Sequence, residues 1–236
     1  MKTVLFDLDG TLLPMDQDEF VNGYFAFLVK KMEPHGYEPK KLIRSIWGGT
    51  EAMVKNDGSC TNEEAFWRFF TSVYGEDSRK DIPLFEEFYA VGFQKARAFC
   101  GFSPLARRCV GLVTVRGGQP VLATNPLFPA VATENRIRWA GLEPELFALY
   151  TTYENISWCK PNLDYYREIL RRLDAEPADC LMVGNDAGED MVAGELGMKT
   201  FLLTDCLINR QNADVSRWPN GGFDRLLLFL EQFLSE

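Results

Sequence analysis

Short apolar runs, several of them rich in β-branched residues, alternate along the chain with segments of helical periodicity. Each run ends near glycine or polar residues, which is typical of buried strands in a parallel sheet. The predicted strands are Thr3–Leu8, Pro120–Ala123, Leu146–Thr151, Cys180–Val183 and Thr200–Leu203. The predicted helices that accompany them are Pro126–Trp139, Asn162–Leu173, Glu189–Leu196 and Phe223–Leu234. This alternation predicts an α/β fold built on a doubly wound, Rossmann-like parallel sheet with right-handed crossovers.

The interval between the first two predicted strands is far longer than a crossover needs, and nearly all of it has helical character. Thr61 and Glu64 have the spacing of a capping box ahead of an aromatic-rich segment, which marks the start of one of its helices. We therefore predict an inserted α-helical cap subdomain at residues 15–96. The remaining residues, 1–14 and 97–236, would form the core.

Composition narrows the range of partners. With 236 residues, 46% of them hydrophobic, the chain is long enough to bury a sizeable core. Its 34 acidic and 25 basic residues give a formal net charge of −9, which argues against nucleic-acid binding. The sequence shows neither a secretory signal nor an apolar run long enough to span a bilayer, so we expect a soluble cytoplasmic protein without membrane partners. An anionic substrate would need a local binding site.

Cysteine and histidine usage excludes several classes of site. The six cysteines are scattered and form no C-x-x-C pair or zinc-like spacing, so we expect reduced, mostly buried thiols. The only histidine, His35, lies in a turn-like segment, which excludes a catalytic triad centred on histidine. The chain also lacks a G-x-S-x-G elbow, a Walker loop and a G-x-G-x-x-G fingerprint. The chain therefore lacks the residues that a serine hydrolase, a P-loop kinase or a Rossmann dehydrogenase would need.

A pair of aspartates closes the first predicted strand. Ligands of open α/β sheets bind at the carboxyl ends of the strands, and Asp7 and Asp9 would point the same way there. One carboxylate can attack phosphorus while the other transfers protons. A calcium loop of the EF-hand type is excluded, because its glycine and final glutamate positions hold Leu12 and Asp18. A simple solvated turn remains an alternative.

Two further strand-end segments carry polar groups. Thr124 and Asn125 follow the second predicted strand and could hold a phosphoryl oxygen, although an ordinary turn or helix cap has the same sequence. Lys160, held extended by Pro161, could bridge the nucleophilic carboxylate and a phosphate. A lysine in such a dipeptide is otherwise an ordinary surface residue.

The loop after the fourth predicted strand concentrates negative charge. Asp186, Glu189 and Asp190 lie within five positions, at the entrance to a helix. Together with Asp7 and Asp9 they offer the hard oxygen ligands that Mg²⁺ prefers. The alternative is that the acidic residues only complement the dipole of the helix N-terminus.

In order and approximate spacing, these four segments resemble the four sequence motifs of the haloacid dehalogenase superfamily. Asp7-x-Asp9 with the following Gly10-Thr11 matches the first motif, Thr124 the second, Lys160 the third and the acidic loop the fourth. A helical insert directly after the first motif resembles the family's helical cap type, also called C1, as in phosphoglycolate-phosphatase-like members.

The resemblance implies a role for each matching residue. Asp7 would be the nucleophile, Asp9 the general acid and base, and Lys160 the orienting cation. The implied substrate-binding residues are Thr124, Asn125 and Lys160, and the implied Mg²⁺ ligands are Asp7, Asp9 through its backbone carbonyl, Asp186 and Asp190. One position departs from the pattern: Asn185 follows Gly184 where the family usually has aspartate, and we expect Asp186 rather than Asn185 to bind the metal.

Two details of the first motif indicate the reaction type. Dehalogenases of the family lack an acid two residues after the nucleophile, whereas this chain has Asp9, which favours phosphoryl transfer. Mutase-type members place a histidine soon after the first motif, where residues 14–20 have none, which favours phosphate release to water. We thus predict a Mg²⁺-dependent phosphomonoester hydrolase that acts on a small phosphorylated metabolite through an aspartyl-phosphate. A phosphotransferase or phosphomutase, and a catalytically silent binding module, are the alternatives.

Specificity would come from the cap. The segment Ile46–Thr50 predicts a break between two helices, either a loop that reaches the substrate or a simple interhelical turn. Neither the physiological substrate nor the oligomeric state follows from the sequence.

Overall fold

A five-stranded parallel sheet forms the centre of the molecule in the computed structural model, which describes all 236 residues. The strands are β1 (Thr3–Phe6), β2 (Gln119–Leu122), β3 (Cys180–Gly184), β4 (Lys199–Leu203) and β5 (Asn220–Gly221). Their order across the sheet is β2-β1-β3-β4-β5. Phe6 of β1 lies opposite Leu122 of β2 and Val183 of β3, so the loops that follow these strands meet at one edge.

Apolar residues alternate between the two faces of the sheet, and helices cover both faces. Val4 and Phe6 belong to a cluster of 42 buried residues on one side, whereas Leu5 belongs to a second cluster of 12 on the other. Burial on both sides explains why the strands appear in the sequence as continuous apolar runs. The predicted doubly wound α/β fold is confirmed.

One predicted strand was wrong and one observed strand was not predicted. The segment Leu146–Thr151 forms only an isolated bridge, in which Tyr150 pairs with Leu122, and its first residue belongs to a 3-10 turn. The segment nevertheless lies along β2, because the amides of Ala148 and Thr151 donate to the carbonyls of Pro120 at 3.0 Å and Leu122 at 3.1 Å, but these bonds do not form a regular ladder. The two-residue β5 has no apolar run that could have predicted it.

Eight α-helices accompany the sheet, several with the caps that the sequence indicates. Thr61 Oγ1 accepts a hydrogen bond from the Glu64 amide, as the capping-box pattern predicts. The helices are α1 (Gln17–Met32), α2 (Pro39–Val54), α3 (Asn62–Tyr74), α4 (Ile82–Ala90), α5 (Pro104–Val115), α6 (Ala130–Trp139), α7 (Leu163–Leu173) and α8 (Phe223–Phe233).

Two of the predicted helices differ from those observed. Helix α6 begins at Ala130 rather than Pro126, because Pro129 provides the extended residue before its first turn. The predicted helix Glu189–Leu196 is a 3-10 segment, Met191–Leu196. The other 3-10 segments are Glu33–His35, Glu76–Asp81, Gly92–Phe99, Pro144–Leu146, Pro177–Asp179 and Val215–Arg217.

The predicted break at Ile46–Thr50 was wrong, because helix α2 runs through it without interruption. The glycines there serve close packing against α3. A Cβ on Gly48 would lie 2.2 Å from the Phe69 ring, and one on Gly49 would lie 2.4 Å from the Phe66 ring. Glycine at these two positions therefore brings two helices together.

Helices α1–α4 lie between β1 and β2 in the chain, within the predicted cap, whose boundaries at residues 15 and 96 remain a prediction. The start of α3 is tied to the segment after β2. Asn62 is fully buried, and its Nδ2 donates to the carbonyls of Pro126 at 3.4 Å and Trp158 at 3.3 Å.

Two global features complete the description. All six cysteines are free thiols, as expected from their spacing. None of the helices combines the length and the apolar character needed to cross a bilayer.

Candidate active site

A buried ion-pair cluster lies at the carboxyl edge of the sheet. Asp7 directly follows β1, and its amide donates to the Val183 carbonyl at 2.9 Å. Lys160 Nζ lies 2.9 Å from Asp7 Oδ1 and 2.7 Å from Asp190 Oδ1, and its side chain is 1% exposed. Burial alone would lower the pKa of Lys160, but the carboxylates of Asp190 and Asp7 raise it well above its usual value. The lysine is therefore a fixed positive charge beside Asp7.

The second oxygen of Asp7 contacts Thr11, which also contacts Asn185 of the fourth motif. Thr11 Oγ1 lies 2.9 Å from Asp7 Oδ2 and 3.0 Å from Asn185 Oδ1. A hydroxyl carries one proton, so it can donate to only one of these two acceptors at a time. Three oxygens thus share one proton in a buried position, and such a donor set fits a hard cation. The amide of Asn185 is held in place by donating to the Cys206 carbonyl at 2.6 Å.

Asp186 is used within its own loop. Its Oδ1 accepts from the amides of Gly188 at 2.7 Å and Glu189 at 3.0 Å. Asp190 Oδ2 in turn accepts from the Asp186 amide at 3.0 Å. The structure therefore brings Asp190 to Asp7 through Lys160, and it brings Asn185 to Asp7 through Thr11. Asp186 Oδ1 is thus engaged by amides of its own loop, and the metal role of Asp186 remains a prediction.

No group of three or more histidine, cysteine, aspartate or glutamate side chains has an arrangement that could hold a metal ion by itself. Backbone carbonyl or side-chain amide oxygens, such as that of Asn185, are therefore candidates to complete a cation site at this edge. This position carries one negative charge fewer than the usual aspartate of the family's fourth motif.

Thr124 and Asn125 follow β2 at the same edge. Thr124 is buried, and its carbonyl accepts from the hydroxyls of Thr151 at 2.6 Å and Tyr165 at 2.8 Å. Asn125 links two other loops, because its Oδ1 accepts from the Lys160 amide at 3.3 Å while its Nδ2 donates to Glu189 Oε2 at 3.1 Å. Asn125 therefore helps to position Lys160.

Asp9 has a partner that the sequence did not predict. Arg136 of α6 is fully buried and forms an ion pair with Asp9 Oδ2, and its guanidinium lies 4.4 Å from the centre of the Phe128 ring. The other oxygen, Asp9 Oδ1, is buried without a hydrogen-bond partner. Burial raises the pKa of Asp9, whereas the charge of Arg136 opposes that rise. An arginine within a helix normally indicates a surface residue, so no signal in the sequence pointed to this pair.

A cavity of about 650 Å³ adjoins these residues. Asp9, Asn125 and Glu189 contribute to its wall from the loops at the sheet edge, and helices α1 to α4 contribute most of the rest. Its lining is predominantly hydrophobic and includes Trp47, whose ring is half exposed. An apolar cavity with a few convergent polar groups at one end is the usual form of a small-molecule site.

Comparison with known proteins assigns this arrangement to a family. The model for haloacid dehalogenase-like hydrolase matches residues 1–196. The chain belongs to the haloacid dehalogenase-like hydrolase family. The predicted resemblance and the predicted enzyme class, a hydrolase, are confirmed.

Among similar proteins, pyrophosphatase PpaX of Bacillus cereus is 27% identical over 214 residues, which cover 89% of this chain and 86% of the relative. The HAD phosphatase from Thermococcus onnurineus has a TM-score of 0.59 at 18% identity and covers 98% of both chains. The 2-haloacid dehalogenase from Pseudomonas syringae pv. Tomato DC3000 has a TM-score of 0.61 at 19% identity, covering 100% of this chain and 98% of that one. The two structural similarities establish the shared fold.

Proposed function

We propose that this hydrolase removes phosphate from a small phosphorylated metabolite, with Mg²⁺ as cofactor and an aspartyl-phosphate as intermediate. The observation that carries the proposal is the contact between Asp7 and the buried Lys160 at the end of β1, with Asp9 two residues further on. A carboxylate and a phosphate repel each other, and a fixed cation beside the carboxylate offsets that repulsion.

In the first step Asp7 attacks phosphorus, so an Asp7 oxygen–phosphorus bond forms while the bond to the alcohol oxygen breaks. Asp9 gives its proton to the departing alkoxide. Burial, which raises the pKa of Asp9, favours the protonated form that this transfer needs. In the second step Asp9 takes a proton from water, which attacks phosphorus and releases Asp7 and inorganic phosphate.

The oxygens of Asp7 and Asn185 would hold Mg²⁺, which when bound supplies positive charge to the phosphoryl oxygens. Asp9, Asp186 and Asp190 remain the other predicted ligands. Thr124, Asn125 and Lys160 remain the predicted phosphate contacts, and residues 15–96 would close over the alcohol part of the substrate and exclude water.

The test is phosphate release by the purified protein from p-nitrophenyl phosphate and a panel of alkyl phosphates, with and without Mg²⁺. We expect Asp7→Asn to lower kcat by at least about a thousandfold, since the amide cannot form the intermediate. Chelation of the metal should abolish turnover in the unaltered protein. Turnover that survives in Asp7→Asn, or that ignores chelation, would contradict the proposed mechanism.

A further inference from the structure

We propose that the alcohol part of the substrate is a positively charged, alkylated amine, so that the substrate is a zwitterionic phosphomonoester. This inference rests on the proposed function and concerns the end of the cavity away from Lys160. It differs from the pyrophosphate suggested by the name of the Bacillus relative and from a phosphorylated small acid.

The first observation is the aromatic character of the cavity wall. Tyr24 and Phe25 of α1, Trp47 of α2, Trp67 of α3 and Tyr89 of α4 all line it. The faces of such rings attract a cation, and alkylated ammonium groups are the ligands that groups of aromatic rings bind best. The Phe25 and Trp47 rings lie 5.6 Å apart near the opening, with half of Trp47 exposed and free to contact a ligand.

The second observation is the charge of the same wall. Its carboxylates are Asp9, Asp18, Glu86 and Glu189, and its only basic residue is the exposed Arg210. Asp9 is paired with Arg136, and Glu189 accepts a hydrogen bond from Asn125 at the sheet edge, whereas the exposed Asp18 and Glu86 have neither an ion-pair nor a hydrogen-bond partner. The exposed part of the wall therefore has two free carboxylates and one arginine, a small surplus of negative charge.

The two observations together disfavour the other substrate classes. A second anionic group on the substrate would meet the two unpaired carboxylates Asp18 and Glu86, and repulsion would weaken its binding. A neutral apolar group would fit the aromatic wall but would gain nothing from these two carboxylates. A cationic amine satisfies both the rings and the carboxylates.

The distribution of charge along the site also favours a substrate with a phosphate at one end and a cation at the other. Lys160 supplies the positive charge beside Asp7, and its amide contacts Asn125 of the sheet-edge wall of the cavity, whereas Asp18 and Glu86 are exposed residues of α1 and α4. A molecule with a phosphate at one end and a cation at the other is complementary to this arrangement.

The experiment compares kcat/KM for three substrates of similar size: phosphocholine, its neutral isostere 3,3-dimethylbutyl phosphate, and phosphoglycolate. We expect phosphocholine to exceed both others by about tenfold or more, the effect of one well-placed cation among aromatic rings. If the isostere is turned over equally well or better, the substrate does not need a positive charge, and that part of the inference is wrong. Better turnover of phosphoglycolate would overturn the whole inference.

Substitutions on α4 test whether the cavity wall causes the preference for phosphocholine. Glu86→Gln should reduce the preference for phosphocholine over its isostere by about fivefold, because one carboxylate facing the cation is lost. The matched control is Glu87→Gln, which removes the next charge of the same helix, one that pairs with Lys31 outside the cavity, and it should leave the preference unchanged. An unchanged preference in Glu86→Gln contradicts the inference.

Hydrolysis of p-nitrophenyl phosphate distinguishes a failure of the proposed substrate class from a failure of the proposed function. If it is hydrolysed while phosphocholine is not preferred, the proposed function stands and only the substrate class fails. If Mg²⁺-dependent release is absent with every ester, the proposed function itself fails.

Discussion

Arg136 is fully buried, although an arginine normally keeps its guanidinium in water. The surrounding groups compensate for the hydration that the buried guanidinium loses. The Asp9 carboxylate pairs with its charge, Ala132 O and Thr133 Oγ1 accept hydrogen bonds from its guanidinium, and the guanidinium carbon lies 4.4 Å from the centre of the Phe128 ring. A charge held this firmly fixes the orientation of Asp9, so we infer that Arg136 is a positioning residue for the proton transfer.

Arg136→Met tests that role by removing the charge and keeping much of the volume. We expect kcat/KM for alkyl phosphates to fall about a hundredfold, because a poor leaving group needs the proton from a well-oriented Asp9. The value for p-nitrophenyl phosphate, whose leaving group needs little protonation, should fall less than about tenfold. Urea unfolding should show a loss of about 3 kcal/mol for the broken buried pair.

Arg138→Met is the matched control, because Arg138 lies on the same helix, half exposed, with its Nη2 3.4 Å from Glu134 Oε2. Arg138→Met should leave kcat/KM for both kinds of phosphate ester, and the free energy of unfolding, nearly unchanged. Equal losses for both kinds of leaving group in Arg136→Met would assign Arg136 a purely structural role.

At the scale of single elements, helix α2 is unusual because Gly48 and Gly49 stand side by side in its interior. Glycine ordinarily weakens a helix by about 1 kcal/mol relative to alanine. Here it allows α2 and α3 to approach until the rings of Phe66 and Phe69 lie against the α2 backbone. The gain in packing against α3 offsets the poor helix propensity.

A pair of identical substitutions should therefore have opposite effects. Gly49→Ala places a Cβ 2.4 Å from the Phe66 ring, and we expect it to lower the free energy of unfolding by about 2 kcal/mol. Gly111→Ala in α5, where a Cβ would meet nothing within 4 Å, should raise it by about 0.5–1 kcal/mol. Urea denaturation of both variants measures the difference. Stabilisation by both would mean that α2 can move away from α3 without loss.

The same elements show which parts of the structure could be predicted from the sequence. The cap at Thr61 and the strands around Asp7 and Cys180–Val183 depend on neighbouring residues or on burial on both faces, and both leave a local pattern. The continuity of α2 through Gly48 does not, because it depends on a ring in another helix. The pairing of Asp9 with Arg136 spans 127 positions and likewise leaves no pattern. The order of the four motifs located Asp7, Lys160 and Asp190, but the sequence could not tell which loop oxygens face Asp7.

At the scale of the whole molecule, the inserted helices and the sheet share one hydrophobic core. The cluster of 42 buried residues contains both Phe93 of the 3-10 segment Gly92–Phe99, between β1 and β2, and Trp139 of α6, whose rings stack at 5.2 Å between centres. Asn62 adds hydrogen bonds between α3 and the core loops. Unfolding the insert alone would expose the apolar surface on both sides of this contact.

We therefore expect a single cooperative transition on denaturation. Tryptophan fluorescence reports on Trp47 and Trp67 in helices α2 and α3 and on Trp139, Trp158 and Trp218 after β2, and it should follow the same urea curve as far-ultraviolet circular dichroism. Two separated transitions would show that the insert unfolds independently, and the large shared cluster would then contribute little to coupling.

The amide of Asn185 also has a consequence for how the sequence can change over time. Its Nδ2 donates to the Cys206 carbonyl and occupies the space where a side chain on Gly10 would stand, 2.3 Å from the Cβ position. A carboxylate at position 185 would place an oxygen against that carbonyl, and two acceptors in contact are unfavourable. The substitution Asn185→Asp, a single nucleotide change, is therefore disfavoured unless the segment around Cys206 changes as well. The two segments are expected to evolve as a linked pair, in which the history of one restricts the substitutions open to the other.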